Sequence, residues 1–169
     1  MFKAIDPKEL TRNPFSLIGE QWMLVTAGTL DKCNTMTASW GGVGVMWGKP
    51  CATIYLRPQR YTKEFVDAGE YFTLSFLPEE HRKALGYCGS KSGRDVDKIR
   101  ECGFTMAAGA GGAPYMEEAE LVLVCRKRYA QPMGPEFLTG ESDIQSRWYP
   151  ENDWHTLYIG EIVEAFVKE

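Results

Sequence analysis

Short apolar runs alternate along this chain with turns rich in glycine, proline and asparagine, the rhythm of strands rather than of long helices. Gln21 to Leu30 (QWMLVTAGTL) predicts a strand, Asp31 to Asn34 a turn, and Thr35 to Trp40 a second strand. Gly41 to Trp47 reads as a glycine-rich connection. Cys51 to Arg57 predicts a third strand, β-branched and aromatic enough for a sheet. Tyr71 to Leu77, Glu118 to Ala130 and Thr156 to Lys168 predict three more. Three short helices are expected between them. Thr62 to Ala68 has Thr62 as its N-cap. Pro78 to Tyr87 carries Glu79 and Glu80 near its start and Lys83 later, the order the helix dipole favours. Asp95 to Cys102 is closed by Gly103.

The remaining segments are less regular. Met1 to Gly19 reads as a leader with a short helix after Asp6-Pro7. Cys88 to Arg94 reads as loop. Ala107 to Ala113 (AAGAGGA) reads as a flexible linker, without the strand context and following lysine of a phosphate-binding P-loop. Gln131 to Asp153 holds three prolines and few periodic apolar residues. An irregular excursion of that length is expected to be a functional cover or an interface arm. The pattern predicts one domain over residues 1–169, mainly β with short helices, folded as a closed or split antiparallel β-barrel. No βαβ alternation with a GxGxxG turn occurs, which argues against a Rossmann fold.

Composition narrows the partners. The 169 residues suffice to bury a core without staples, and 44% are hydrophobic. A net charge of -4 argues against nucleic acid, which binds through basic patches. No apolar run approaches the ~20 residues that span a bilayer, so no membrane partner is expected. Met1 to Leu10 carries Lys3, Asp6, Lys8 and Glu9 and no apolar stretch, so a cytoplasmic location is the expectation. The five cysteines are dispersed without a CxxC pair, and there are only two histidines. That pattern favours reduced, buried thiols and no metal site.

The candidate chemistry sits in two runs. Asn34-Thr35-Met36-Thr37-Ala38-Ser39-Trp40 places small hydroxyl and amide residues before a glycine pair, leaving backbone groups open to a flat polar ligand. The same run also suits a polar hairpin edge, and Trp40 and Trp47 suit a core or an interface more readily than a ligand contact. Arg57, Arg60 and Thr62 follow the end of an apolar strand. Planar guanidinium groups match phosphate oxygens, and a helix starting near Thr62 adds N–H donors. A solvated basic turn is the plainer alternative. Ser90, Lys91 and Ser92, with Gly93, Arg94 and Asp95, form a second candidate anion nest, although Arg94 and Asp95 also suit an ion pair. A heteroaromatic ring with a phosphate tail would engage these runs together, which is the outline of FMN.

Five blocks in order, NTMTASW, KP, RPQRYT, CGSKSGRDVDK and DWHTLYIGEI, resemble the flavin reductase-like (flavoredoxin) family. They extend from about Met23 to Val163. The resemblance implies an FMN-binding split β-barrel that works as a homodimer. It implies flavin contacts over residues 34–40, phosphate contacts at Arg57, Arg60, Thr62 and the Ser90 to Ser92 segment, and His155 on the nicotinamide side as the catalytic residue. The implied activity is NAD(P)H-dependent flavin reduction, with electrons passed to a flavin or protein acceptor. The alternative is an electron carrier that holds FMN tightly and relies on another reductase.

Overall fold

The computed structural model describes residues 1–140 and 142–169. Ten strands are present among them: β1 (Phe2–Ile5), β2 (Met23–Gly28), β3 (Cys33–Ala38), β4 (Gly41–Met46), β5 (Lys49–Leu56), β6 (Tyr71–Phe76), β7 (Met106–Ala108), β8 (Pro114–Met116), β9 (Leu121–Pro132) and β10 (Thr156–Lys168). Five α-helical segments accompany them: α1 (Pro14–Ser16), α2 (Tyr61–Ala68), α3 (Arg82–Ser90), α4 (Lys98–Cys102) and α5 (Ile144–Trp148). None is long and apolar enough to cross a membrane.

The main sheet runs β3-β2-β6-β9-β10-β5-β4, with β1 added on β10, and every pairing in it is antiparallel. Its two end strands, β3 and β4, are consecutive in sequence and joined only by Ser39 and Trp40. A flat sheet would hold them about 29 Å apart, at six spacings of about 4.8 Å. Three Cα steps reach at most about 11 Å. The sheet is therefore rolled until its edges meet at a seam that no ladder bridges, a split barrel.

Alternation along the strands explains the two cores. In β2, Met23 and Val25 point into the barrel while Leu24 points out. In β9, Leu121, Leu123 and Cys125 face the interior, whereas Val122 and Val124 meet an outer layer with Leu77, Leu85, Cys88, Phe104 and Met116. An apolar run buried on both faces needs cover on both sides. The α3–α4 region and the β7–β8 hairpin supply the outer one.

Several elements differ from expectation. Gly41 to Trp47 is mostly strand, not connection. A Cβ on Gly41 would come within 2.7 Å of the Thr53 carbonyl, so the glycine permits close strand pairing. Ala107 to Ala113 is no linker; it contributes to the β7–β8 hairpin, with Gly111 and Gly112 at φ +64 and +75 in its turn. Cys88 to Ser90 is the last turn of α3. Arg60, not Thr62, occupies the N-cap of α2. The excursion after Ala130 begins as strand through Pro132 and contains α5.

Candidate active site

The seam between β3 and β4 opens into a cavity of about 320 Å³. Its lining combines the end of β3 (Met36, Thr37, Ala38), the linker Ser39 and Trp40, the end of β5 (Tyr55, Arg57), Arg60, Trp148 and His155. Strand parity positions the β5 contribution. Ala52, Ile54 and Leu56 enter the core, so Tyr55 and Arg57 share the opposite face. Tyr55 was not singled out in the sequence, although that alternation could have found it. Trp148 arrives from α5, and its ring meets Trp40 edge to face at 5.1 Å between centroids.

The two arginines have different partners. Arg57 pairs with Asp153 at 2.7 Å and donates to the Trp148 carbonyl at 2.8 Å. Its charge is matched, and it ties the 148–153 strap to β5. Arg60 donates to the carbonyls of Gly89 at 2.8 Å and Cys88 at 3.5 Å, at the C-terminal end of α3. Among the described residues no carboxylate pairs with Arg60, and burial lowers its pKa. Lys98, which the sequence reading left without a role, is also buried. It donates to the Thr35 and Cys88 carbonyls at 2.9 and 2.8 Å, and burial lowers its pKa to about 8. Two cations thus converge on one helix end, where their charge complements the dipole.

Other expected residues stand as follows. Asn34 is buried and donates to the Thr62 hydroxyl at 2.8 Å, and Thr62 itself is inaccessible. Thr35 bonds to Thr26 and the Val25 carbonyl within the sheet. These three side chains do not line the cavity. Thr37 does, and its hydroxyl donates to the Leu85 carbonyl at 2.5 Å, which leaves it an acceptor toward any ligand. Ser90, Lys91 and Ser92 are not in the lining either. They follow directly on Gly89, whose carbonyl holds Arg60; Ser90 donates to the Tyr87 carbonyl, and Ser92 accepts from the Arg94 amide.

His155 is buried, and burial lowers its pKa to about 4 with Arg57 contributing. The imidazole is neutral at pH 7. Its Nδ1 lies 2.7 Å from the Tyr149 hydroxyl, and its ring lies 5.1 Å from that of Trp40. Protonation of a ligand by a standing imidazolium is therefore not available at neutral pH. A neutral ring can still orient a ligand by a hydrogen bond.

The sequence profile described as "Flavin reductase like domain" matches residues 15–169. The chain belongs to the flavin reductase-like family. Several solved structures are similar to this family member, among them the following three. Flavoredoxin from Methanosarcina acetivorans is 25% identical with a TM-score of 0.69, covering 88% of this chain and 69% of its own. An FMN-binding protein from Thermus thermophilus, solved with p-hydroxybenzaldehyde, is 21% identical with a TM-score of 0.70, covering 96% and 77%. An NADH:FAD oxidoreductase from Streptomyces globisporus is 21% identical with a TM-score of 0.64, covering 88% and 75%. A high molecular weight rubredoxin from Moorella thermoacetica is 36% identical over 73 residues. That match spans 43% of this flavin reductase-like chain and 31% of the rubredoxin's length.

Proposed function

We propose that the seam cavity binds FMN non-covalently and that the protein is an NAD(P)H-dependent flavin reductase, passing electrons to a flavin or protein acceptor as a homodimer. The observation that carries this reading is the convergence of Arg60, a cation without a carboxylate partner among the described residues, with the Thr37 to Trp40 run and His155 in one cavity. Its size lies within the roughly 300–1,000 Å³ of ligand sites, and its walls are mostly aromatic or polar. The FMN-binding and NADH:FAD oxidoreductase neighbours support the choice of cofactor and donor.

Flavin in this cavity would supply a carrier able to take two electrons from a nicotinamide and release them to an acceptor. The chain's own residues do the rest. Arg60 holds the anionic end, with the adjoining Ser90 to Ser92 segment within the same region. The Thr37 hydroxyl would accept from a ring N–H, and backbone groups of residues 38–40 would be available to the ring's polar edge. Trp40 and Trp148 exclude water. Neutral His155 orients the reacting partner through a hydrogen bond.

The test is anaerobic addition of NADH or NADPH to FMN-loaded protein, followed by loss of the visible flavin band. His155→Ala is expected to leave FMN affinity within a few-fold and to slow reduction on the order of a hundredfold. Equal rates would make His155 structural. A second reading, an FMN-bound electron carrier, draws on the 25% identity to flavoredoxin. It prevails if FMN binds and neither nucleotide reduces it.

A further inference from the structure

Tyr149 closes the strap over the cavity from behind His155. Its side chain is buried, with its ring stacked on Trp154 at 4.0 Å and 14° and the Arg57 guanidinium 5.0 Å over the ring. Its backbone is fixed at both ends: the amide donates to the Gln145 carbonyl at 2.9 Å, and its carbonyl accepts from the Asn152 amide at 3.0 Å. The ring has little freedom, and its hydroxyl meets Nδ1 of His155 at 2.7 Å.

That contact can be made in two ways. Either Nδ1–H donates to the phenol oxygen, or the phenol donates to a bare Nδ1. In the first case the phenolic proton needs another acceptor, and among the described residues Tyr149 has no second hydrogen-bond partner. A buried donor left unpaired is costly. In the second case the phenol proton goes to Nδ1, so both groups are paired, and the imidazole proton must sit on Nε2. His155 lines the cavity while its Nδ1 is taken by Tyr149.

We propose that Tyr149 is a positioning residue that locks His155 as the Nε2–H tautomer and so gives the cavity a fixed, uncharged hydrogen-bond donor. The ligand class it suits is one with an acceptor atom that gains electron density during the reaction, such as a ring carbonyl or ring nitrogen of a reducible heteroaromatic. The depressed basicity of the imidazole agrees with this, because the ring stays neutral through the physiological range. Its part in electron entry rests on the flavin reductase reading; the tautomer does not.

The experiment therefore has two arms. In the first, the full chain is labelled with ¹⁵N-histidine and its ring nitrogens are assigned by NMR at pH 7, with His81→Gln removing the only other histidine. The expected result is a single Nε2–H tautomer for His155, and in Tyr149→Phe a shifted Nδ1 resonance with a mixture of tautomers. An Nδ1–H tautomer in the wild type, or an unchanged spectrum in Tyr149→Phe, overturns the proposal. In the second arm, Tyr149→Phe keeps the ring and is expected to bind FMN within a few-fold of wild type while its limiting rate of reduction falls about tenfold, the equivalent of one hydrogen bond. An unchanged rate, where the wild type is reduced, overturns the positioning role. If the wild type is not reduced by either nucleotide, the reductase reading fails, and the spectrum alone still decides the tautomer.

Discussion

Arg57 Nη1 and Asp153 Oδ2 lie 2.7 Å apart, and the pair bolts the strap that carries Trp148, Tyr149 and His155 to the end of β5. Gln59 adds a second hold on the same carboxylate at 2.8 Å. Read in sequence, Arg57 and Arg60 are two similar cations three residues apart. In the fold one is neutralised by its partner and the other is not.

The two arginines are therefore expected to separate on substitution. Arg60→Ala is expected to cost FMN roughly 1.5–3 kcal/mol, about tenfold to a hundredfold in affinity, and riboflavin much less. Arg57→Ala loosens the wall of the cavity and is expected to weaken both ligands alike. Calorimetric titration with FMN and riboflavin measures the ratio. An FMN-selective loss for Arg57→Ala would return that residue to the phosphate end.

Acid stability follows from His155. Its folded pKa of about 4 lies below the ordinary 6.5. Between these values the unfolded chain takes up a proton that the folded one refuses, so stability falls as pH drops from 6.5 to 4 and flattens below. The full effect is about 3 kcal/mol. Asp67, Asp153 and Glu161, whose pKa values are also lowered, add acid losses of their own. The measure is the difference between wild type and His155→Gln in urea unfolding at pH 4 to 7. A difference that does not change with pH would contradict a buried neutral imidazole.

Gly93 packs directly against the Asn34 side chain. A Cβ there would lie 1.8 Å from Asn34 Oδ1, and Asn34 is held by its bond to Thr62. Gly93→Ala must displace that amide and is expected to destabilise the fold by about 1–3 kcal/mol. Chemical denaturation reads the loss. Asn34→Ala in the same background is expected to recover part of it, since the clash disappears.

The β4–β5 hairpin ends in an exposed apolar tip. Val45 is 77% exposed and Trp47 57%, and Trp47 sits at φ +52 beside Gly48 at φ +70. Such a turn favours asparagine and glycine, so a tryptophan there is held at a conformational cost. An apolar edge of this kind invites association and is the surface we assign to the proposed homodimer. Val45→Ser with Trp47→Asn is expected to weaken the dimer at least about tenfold in sedimentation equilibrium without lowering monomer stability. A monomeric wild type at micromolar concentration would remove the dimer.

Much of the barrel is legible in the chain because period-two alternation is a local signal. Thr156 to Lys168 matches β10 at both ends, and β5, β6 and β9 lie within a few residues of expectation. Gly41-Gly42-Val43-Gly44 reads as loop because glycine advertises flexibility, whereas here it serves close pairing against Thr53. The cavity wall was half visible. The residues around Arg60 and His155 carry chemical signals of their own. Tyr149 and Trp148 carry no such signal, because their placement beside His155 and Trp40 depends on where Arg57 catches the strap, 91 residues away in sequence for Trp148. Thr62 looked like a cap because its position suited one, and only the packing of Asn34 turns it inward.

Trp40 and Trp148, touching edge to face on the cavity wall, also make the protein its own optical probe. Indole emission overlaps flavin absorption, so a flavin between or beside these rings drains their excited state. Two of the five tryptophans in the chain would then darken when the cavity fills, and Trp40→Phe or Trp148→Phe would each remove part of that dimming. Loading of the cavity can thus be followed in real time from the light the protein itself emits.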